Sequence, residues 1–407
     1  MPGRIIAAMR TDGWPLDPAF TFLNHGSFGS CPLAVLEEQD RLRRRLEAEP
    51  IRFFVRELED RLDAVREALA GFVNGRAEGI AFVPNATTGV NAVLRSLSFD
   101  AGDELLTTDH TYNACSNVID EIAARDGARV VVVPIPFPLQ SAGEVEQAFL
   151  AAVTDRTRFA LLDHITSPTA LVLPVERLVP ALRARGITVM VDGAHAPGMV
   201  PVDLAALGAD AYTANAHKWI CAPKGAAFLH VSEELERIVR PVVISHGANA
   251  TRTDRSRYLV EFDWVGTDDP TAVLSIPTAL ATMEAMHPDG WDGIRADNHA
   301  LALAARDLVC EAFDVPLPAP DDMLGSMAAV PLPEGPLEVL DSALATTAFQ
   351  DALFERHRVE VPIVSWPKSP KRLVRLSAQR YNTIDDYQHL VEATRTELER
   401  EREGTQA

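Results

Sequence analysis

The sequence is poor in cysteine and in basic charge. It has four cysteines in 407 residues, and they form no CxxC pair. We therefore expect neither a disulfide framework nor a zinc or other metal site, but reduced and mostly buried thiols. Lysine and arginine number 38 against 58 acidic residues, which gives a formal net charge of −20. Such a chain is a poor partner for nucleic acid or anionic membranes, because phosphate contact needs a basic surface.

Long apolar runs and a dinucleotide-binding motif are also missing. No stretch approaches the ~20 apolar residues of a membrane span. The apolar run near the N-terminus is too short for a signal peptide, so we expect a cytoplasmic protein. No GxGxxG follows a predicted strand, which removes support for a dinucleotide site. Hydrophobic residues still make up 47% of the chain, enough for a large core, and the length predicts about two domains.

Short apolar segments alternate with amphipathic stretches over residues 20–285. The predicted buried strands are 79–85, 104–108, 129–135, 158–163, 187–193, 210–215 and 225–231. Helical periodicity fills the gaps, for example at 56–73 and 175–186. This pattern predicts an α/β fold, with a large domain built on a mostly parallel seven-stranded sheet that helices cover. Ligands collect at the carboxyl ends of such strands.

The pattern changes after about residue 285. Two long helical stretches are predicted at 291–313 and 341–358, followed by a strand at 372–378. The last helix is predicted to begin at Thr383, whose spacing to Asp386 indicates a capping box. We therefore predict a large domain over 20–285 and a smaller α+β domain formed by 1–19 and 286–407.

Two polar clusters follow predicted strands. Thr87 and Thr88 come after the first strand and open a helix, whose free amides can bind an anion, although threonines there can also serve only as caps. Asp192 ends a very apolar strand. A buried carboxylate needs a partner, which can be a protonated ring nitrogen or local backbone amides.

A third cluster contains a lysine among apolar neighbours. In DAYTANAHKWICAPKG (210–225), Lys218 follows a predicted strand, and Asn215 and His217 beside it can hold a phosphate. An amine in an apolar pocket has a lowered pKa and can form a Schiff base with a carbonyl. An anion site, a strand-end carboxylate and a buried lysine, in this order, predict a pyridoxal phosphate pocket.

Motifs across nearly the whole chain support this prediction. They are FLNHGSFGSCP (22–32), EPIRFFVRELED (49–60), PNATTGVN (84–91), VDGAHAPG (191–198), HKW (217–219), VGTDDP (265–270) and RLSAQRYN (375–382). Together they resemble the motifs of fold-type I pyridoxal phosphate enzymes of the class V aminotransferase group. The N-terminal FLNHGSFG is similar to the isopenicillin N epimerase branch of that group.

The resemblance implies a role in cofactor binding for several residues. Lys218 would form the internal aldimine, Asp192 would pair with the pyridine nitrogen, and His195 would lie near the phenolic oxygen. The implied phosphate contacts are Thr87, Thr88, Asn215 and His217, with Gly266 and Thr267 reaching the phosphate of the neighbouring subunit. A homodimer with the active site at the subunit interface is therefore implied.

The resemblance also implies how an amino-acid substrate is held. Tyr112 would stack on the cofactor ring and, with Lys218 and Asp192, take part in catalysis. Arg375 would bind the substrate α-carboxylate, which suits its bidentate fork. Asn24 and His25 would line the mouth of the substrate site.

The implied activity is that of an enzyme acting at Cα of an amino acid through an external aldimine. An isopenicillin N epimerase-like epimerase or racemase comes first. A C–S β-lyase acting on a cysteine conjugate and an aminotransferase use the same residues, so both stay open. A non-catalytic pyridoxal phosphate-binding module is a remote alternative. Persulfide chemistry is not expected, because 356–374 lacks the cysteine that desulfurases of the group carry there.

Two further sites have two interpretations each. Arg52 and Arg56 could recognise a distal substrate carboxylate, but arginines four apart on a helix more often form a solvated face. His164 ends a predicted strand and is either a contact to the cofactor region or a structural histidine.

Overall fold

The structure is a computed structural model that describes residues 13–342 and 344–405. Its strands are β1 Thr21–Phe22, β2 Ile80–Val83, β3 Glu104–Thr108, β4 Arg129–Val133, β5 Thr157–Asp163, β6 Thr188–Asp192, β7 Ala211–Asn215, β8 Ala227–Val231, β9 Met327–Leu332, β10 Val359–Glu360, β11 Ile363–Ser365 and β12 Arg372–Ser377. The seven strands predicted over 79–231 are all present, as β2 to β8.

These seven strands form one sheet in the order β2-β8-β7-β6-β5-β3-β4. The pairs from β7 to β4 are parallel, whereas β8 runs antiparallel to both of its neighbours. The prediction of a mostly parallel seven-stranded sheet is therefore confirmed. Because β2 has the same direction as β7, the carboxyl ends of β2, β3, β5, β6 and β7 lie at the same edge of the sheet.

Helices cover both faces of this sheet. The longer helices are Leu33–Ala48, Leu58–Val73, Ala86–Ser96, Asn113–Asp126, Ala142–Ala152, Val175–Arg183, Ile276–Glu284, Gly290–Phe313, Ala348–His357 and Ile384–Thr405. Short helices span His25–Phe28, Pro50–Arg52, Leu204–Leu207, Glu233–Glu236, Arg257–Phe262 and Thr271–Leu274, a π-helix spans Phe53–Glu57, and 3-10 turns span Ala77–Gly79, His246–Asn249 and Asp321–Met323.

Alternate strand residues pack into two separate cores. In β5, Phe159 and Leu161 belong to the core on one face, and Ala160 and Leu162 belong to the core on the other. Successive strand side chains point to opposite faces, so a strand that is apolar at every position must be covered on both. This explains why the sheet strands appear in the sequence as continuous apolar runs.

The C-terminal third carries a second, antiparallel sheet in the order β11-β12-β9. The last helix begins after Thr383, whose N–H donates to Asp386 Oδ2 at 2.8 Å, in agreement with the predicted capping box. The helix predicted at 341–358 was too long at its start and begins only at Ala348. Thr347 Oγ1 accepts the N–H of Gln350 at 3.1 Å and caps the helix there.

The N-terminal arm lies against the C-terminal third. β1 pairs in parallel with β10, and the Trp14 ring lies 5.1 Å from the Tyr381 ring. Residues 1–12 of the arm, which the domain prediction includes, lie outside the described residues. The domain bounds of 1–19, 20–285 and 286–407 stay a prediction. Within the described chain, no helix combines the length and the apolar character needed to cross a membrane.

Candidate active site

The predicted site residues meet at the carboxyl edge of the seven-stranded sheet. The turns after β2, β3, β5, β6 and β7 line one cavity of about 660 Å³. Its lining includes Thr87 and Thr88 after β2, Tyr112 after β3, Asp163 at the end of β5, Asp192 and His195 at β6, and Asn215, His217 and Lys218 at β7. Parallel strands bring their carboxyl ends together, which explains how residues more than a hundred positions apart share one cavity.

The Lys218 amine is buried in this cavity. Its Nζ lies 3.0 Å from His195 Nε2, and among the described residues it forms no ion pair. Burial, followed by repulsion from Arg375, lowers the pKa of Lys218 from 10.5 to about 7, although Asp192 acts in the opposite direction. A large share of the amine is therefore unprotonated at neutral pH and can attack a carbonyl carbon.

His195 completes the surroundings of this amine. Burial, followed by repulsion from Lys218, lowers the pKa of His195 well below its usual value, so the ring is neutral. Its Nδ1 is buried and lacks a hydrogen-bond partner within the described part of the chain. Buried polar atoms are normally paired, so this nitrogen is free for a ligand atom.

The turn after β2 places polar groups at the start of the helix Ala86–Ser96. Asn85 caps the helix, because its Oδ1 accepts the N–H of Thr88 at 2.9 Å. Asn215 Oδ1 accepts the N–H of Ala86 at 2.8 Å and so joins the end of β7 to the helix. Thr87 and Thr88 are half-buried at the cavity wall. A helix start of this kind favours an anion.

Close packing fixes this helix against the sheet. A Cβ on Gly89 would collide with the Thr213 side chain in β7, so glycine is required for the close approach of the helix to the sheet.

His217 lies in the turn after β7, and its Nδ1 is 3.0 Å from the carbonyl oxygen of Ala226. Burial lowers the pKa of His217 to about 4, so it is a neutral group at the cavity wall.

Asp192 is a buried carboxyl with donors but no cation. Its Oδ1 accepts the N–H of Ala194 at 2.9 Å, and its Oδ2 accepts the S–H of Cys115 at 3.3 Å. Burial raises the pKa of Asp192 despite these donors and the attraction of Lys218. A protonated ring nitrogen would supply the positive partner that the described residues do not.

A second buried carboxyl, Asp163, lies beside Asp192. The two residues are in register on the parallel strands β5 and β6. Thr111 Oγ1 donates to Asp163 Oδ2 at 2.8 Å. Burial, followed by repulsion from Asp192, raises the pKa of Asp163 to about 8. The sequence analysis missed Asp163, although it ends a buried strand in the same way as Asp192.

Tyr112 lines the cavity, whereas Arg375 lies behind its wall and bonds the lining residues Ser27 and Ser167. Tyr112 precedes the helix Asn113–Asp126, lines the cavity and is 46% exposed. Arg375 lies on β12, and its Nη1 and Nη2 donate to the Ser167 carbonyl oxygen at 2.7 Å and to Ser27 Oγ at 2.8 Å. Ser27 was also missed, because no local pattern shows that its hydroxyl reaches an arginine near the other end of the chain.

The Arg375 guanidinium is buried without an anion. Its Nε has no hydrogen-bond partner, and none of the described carboxylates pairs with it. Burial lowers the pKa of Arg375 to about 10, so it remains charged at neutral pH. A buried cation without a partner is costly, and a carboxylate from a ligand would satisfy it.

Two residues expected at the substrate mouth lie elsewhere in the structure. Asn24 Nδ2 donates to Glu360 Oε1 at 2.9 Å. His25 Nδ1 lies 2.8 Å from the Tyr381 hydroxyl, and its Nε2 lies 3.1 Å from the Lys218 carbonyl oxygen. Neither side chain is part of the cavity lining. Burial lowers the pKa of His25 to about 3, so a neutral ring supports the backbone at Lys218.

Gly266 and Thr267 do not line the cavity of their own chain. Gly266 lies instead on a separate groove with Phe54 and Trp264. Its φ of 135° and the open space around it suit a loop that another chain approaches. Their contact with the phosphate of a neighbouring subunit stays a prediction.

The two sites with open interpretations have structural contacts at His164 and Arg52. His164 is buried with its Nδ1 3.0 Å from the Tyr212 hydroxyl and is not part of the cavity lining, as expected for a structural histidine. The exposed Arg52 pairs with Glu49 and Glu57, as expected for a solvated helix face.

The residues of the cavity fit pyridoxal phosphate. The helix start at Ala86 suits a phosphate, and the unpaired Asp192 carboxyl suits a ring nitrogen that carries a proton. The free His195 Nδ1 suits a ring substituent, and the Lys218 amine suits an aldehyde. An α/β fold with a mostly parallel sheet and this donor set defines a fold-type I pyridoxal phosphate enzyme.

Comparison with known proteins identifies the family. Residues 30–390 match the family described as Aminotransferase class-V. The chain belongs to the class V aminotransferase family and is a pyridoxal phosphate-dependent enzyme. The predicted resemblance and the predicted cofactor are therefore confirmed.

Two similar curated proteins have different names. The chain is 34% identical to an isopenicillin N epimerase of Amycolatopsis lactamdurans, over 93% of this chain and 95% of that one. It is also 34% identical to a putative L-cysteine desulfhydrase of Oryza sativa subsp. japonica, over 91% of this chain and 82% of that one. The epimerase and lyase alternatives thus both have relatives at the same identity.

Solved structures share the fold. A cysteine desulfurase from Escherichia coli matches with a TM-score of 0.74 at 20% identity, covering 97% of this chain and 98% of that one. A cystine C–S lyase in complex with its product cysteine persulfide matches with a TM-score of 0.74 at 21% identity, covering 92% and 97%. At this identity the likeness concerns the fold alone.

Proposed function

We propose that this chain is a β-lyase that breaks the Cβ–S bond of cysteine or a cysteine S-conjugate. The observation that carries the proposal is one basic amine in the cavity and one unpaired anion-binding group directly behind its wall: Lys218 with its lowered pKa, and the buried Arg375 guanidinium, which bonds the lining residues Ser27 and Ser167. A lyase for an α-amino acid needs a base for the α-proton and a clamp for the α-carboxylate. Relatives named L-cysteine desulfhydrase support the choice of a sulfur substrate.

The chain would hold its cofactor with the residues already described. Thr87, Thr88 and His217 would bind the phosphate, and Asn215 would act by holding the N–H of Ala86 in place. Asp192 would bind the ring nitrogen, His195 the phenolic oxygen, and Lys218 the aldehyde carbon. Pyridoxal phosphate supplies an electron-withdrawing ring that makes the Cα–H bond of a bound amino acid acidic.

Arg375 would fix the substrate and Lys218 would move its proton. The α-carboxylate would bind the guanidinium, whose position Ser27 and Ser167 set. The unprotonated Lys218 Nζ would then accept the α-proton. Tyr112, on the cavity wall, is the residue available to give a proton to the departing sulfur.

The products of this reaction follow from the bonds that break. Removal of the α-proton lets the Cβ–S electron pair leave with the sulfur, which takes up a proton as a thiol or as sulfide. The rest of the substrate, its three carbons and the amino nitrogen, is hydrolysed by one water molecule to pyruvate and ammonia. The overall reaction consumes no oxidant and no reductant.

Epimerisation is the second candidate, favoured by the relative named isopenicillin N epimerase. It needs a proton donor on the face of Cα opposite Lys218, and Tyr112 is the cavity residue that could serve. Elimination does not require a proton to reach Cα from that face, and it asks of Tyr112 only a proton for the departing sulfur. Transamination would use the same amine to return the proton to the cofactor side.

A homodimer completes this proposal. Ile51 and Val55 are each 72% exposed, and they flank Phe54, which lines the same groove as Val265 and Gly266. Large apolar side chains in one exposed area favour burial against another chain. A second copy covering this surface would bring the loop 264–270 towards a neighbouring cavity, as the family resemblance implies.

The reaction in deuterated water with L-cysteine, cysteine S-conjugates and other amino acids tests the proposal. We expect pyruvate, ammonia and a released thiol or sulfide from the sulfur substrates. Recovery of substrate with deuterium at Cα and mixed chirality, without pyruvate, would replace the lyase by an epimerase. A 2-oxo acid that keeps the substrate side chain would indicate transamination.

A matched pair of variants shows whether the products come from this cavity. Arg375→Lys should lose product formation at low substrate concentration, because it lacks the bidentate fork. Arg380→Lys is the control, because Arg380 lies five residues after Arg375 and pairs at the surface with Asp297. Equal behaviour of the two variants would remove Arg375 from the substrate site.

A further inference from the structure

Asp163 is a buried acid at the cavity to which the proposed reaction gives no task. It lies at the carboxyl end of β5, in register with Asp192 on β6, and both side chains are almost inaccessible to solvent. No ion pair reaches either carboxyl among the described residues. Two such groups placed side by side cannot both be ionised cheaply, so the pair holds a proton at rest.

Both members of the pair accept hydrogen bonds, so it is the position of Lys218 that distinguishes them. Asp192 accepts from the backbone N–H of Ala194 and from the Cys115 thiol, and Lys218 attracts its negative charge. Asp163 accepts hydrogen bonds as well, from Thr111 Oγ1 and the Tyr112 N–H, but the attraction of Lys218 acts on Asp192 in addition and favours the ionised form there. Burial and the neighbouring Asp192 raise the pKa of Asp163 to about 8, so at neutral pH Asp163 is the member that keeps the proton.

Asp163 also joins β5 to the turn that carries Tyr112. Thr111 Oγ1 donates to Asp163 Oδ2 at 2.8 Å, and the carboxyl also interacts with the backbone N–H of Tyr112. Thr111 is itself held by Thr107, whose hydroxyl lies 2.7 Å from its own. Tyr112 is 46% exposed, so its side chain has little packing of its own to fix it.

We propose that Asp163 is a positioning residue that works as a neutral carboxyl: through Thr111 and the Tyr112 backbone it fixes Tyr112 at the cavity wall, and it leaves the negative charge to Asp192. This inference rests on the cofactor site of the proposed function but not on the choice between lyase and epimerase. The titratable groups that face Asp163 are Asp192 on β6, Tyr112 on its turn, Cys115 on the helix Asn113–Asp126 and Lys218 after β7.

A set of substitutions in the full-length holoenzyme tests whether Asp163 acts as a neutral hydrogen-bonding group or whether its negative charge is required. Asp163→Asn keeps a neutral hydrogen-bonding group of the same shape, whereas Asp163→Ala removes it. Thr111→Val breaks the same contact from the other side. Asp192→Asn is the matched contrast, because it makes the same change one strand away at the carboxyl that should be charged.

The readouts are the dissociation constant of pyridoxal phosphate and the visible circular dichroism of the bound cofactor. We expect Asp163→Asn to stay within about threefold of the wild type in cofactor affinity. Asp163→Ala and Thr111→Val should each weaken binding about tenfold, as expected for one lost buried hydrogen bond, and should reduce the circular dichroism band. Asp192→Asn should weaken binding more than any of them. The double variant Asp163→Ala/Thr111→Val should be no worse than the worse single variant.

Two results would overturn the proposal. One is Asp163→Asn losing as much affinity as Asp163→Ala, because the charge would then be required. The other is Thr111→Val behaving as the wild type, because the contact to the Tyr112 turn would then have no effect. Thr111→Val also decides the question if Asp163→Ala does not fold. Failure to form pyruvate from sulfur substrates would end the lyase proposal and leave these binding measurements valid.

Discussion

Two groups of buried charges in this chain differ in whether each charge has an opposite partner. Beside the helix Leu58–Val73, Arg66 pairs with Asp63 and Asp263, and Arg255 bonds the same two carboxylates at 2.6 Å and 2.7 Å. Arg66 is almost fully buried, yet it faces two acids. This group is complete within one chain and joins the helix to the segment around residue 260.

At the active-site cavity the buried charges are not balanced in this way. Arg375 is a cation without a paired anion, the Lys218 amine forms no ion pair, and neither Asp192 nor Asp163 forms one, among the described residues. Uncompensated buried charges cost folding free energy. We infer from this difference that the group around Arg66 stabilises the fold, whereas the cavity residues bind the charged groups of a cofactor and a substrate.

The largest effect on activity is expected from Lys218→Ala. Loss of the amine should reduce turnover by at least about 10³-fold and abolish the visible absorbance of the lysine-bound cofactor. Folding stability of the apoenzyme should be unchanged or raised, because an unpaired buried cation is removed. Lys371→Ala, at an exposed position, is the control. A variant that kept both the absorbance and the turnover would contradict the assignment of Lys218.

The paired group should show the opposite behaviour. Arg66→Met should destabilise the fold by about 1–3 kcal/mol, because Asp263 loses one of its two cations and the buried carbonyl oxygen of Ile80 loses its donor. The folded fraction should keep the wild-type kcat/KM. Arg41→Met, which breaks an exposed pair with Glu38, should have little effect. Denaturant unfolding measures both variants, and equal midpoints for them would remove the distinction between buried and exposed pairs.

Arg375→Lys tests the unpaired cation at the substrate site. A single ammonium cannot reproduce the fork, so KM should rise about 10–100-fold, as expected for lost charged hydrogen bonds. The cofactor absorbance should be unchanged. Steady-state kinetics and absorbance on the same preparation check this result. A loss of cofactor absorbance with KM unchanged would assign Arg375 to the cofactor instead.

A further expected effect is a pH dependence of apoenzyme stability. The pKa of Lys218 is about 7 in the folded chain, below its usual 10.5. The unfolded chain therefore binds more protons between these values, and stability is lost as the pH falls from about 10 towards 7. Lys218→Met should remove this loss. The difference in thermal midpoint, variant minus wild type, should grow as the pH falls over this range and stay constant below it. A difference that does not change with pH would contradict the lowered pKa.

The large sheet could be predicted from the sequence because its signals are local. Strands covered on both faces are continuously apolar, and polar residues such as Asp192 and Lys218 stand out where those runs end. Because these apolar runs alternate with helices, they form parallel strands, and the polar residues that follow them lie together at the carboxyl edge of the sheet. The same rule applied to the strand 157–163 would have found Asp163.

The remaining features depend on contacts that no local pattern contains. Ser27 reaches Arg375 across most of the chain, and His25 packs behind Lys218 instead of at the substrate mouth. These positions follow from the N-terminal segment lying between the two sheets. The late start of the helix Ala348–His357 was missed because periodicity continued upstream of the Thr347 cap.

The most direct test of the account is to locate the cofactor on the chain. The sequence has four lysines: Lys218, Lys224, Lys368 and Lys371. Reduction of the holoenzyme with borohydride makes the lysine–cofactor bond permanent, and peptide mass spectrometry then locates it. We predict the added mass on Lys218 alone. Its presence on Lys224, or on no lysine of an enzyme that remains active, would contradict the assignment of the unpaired cavity amine as the cofactor lysine.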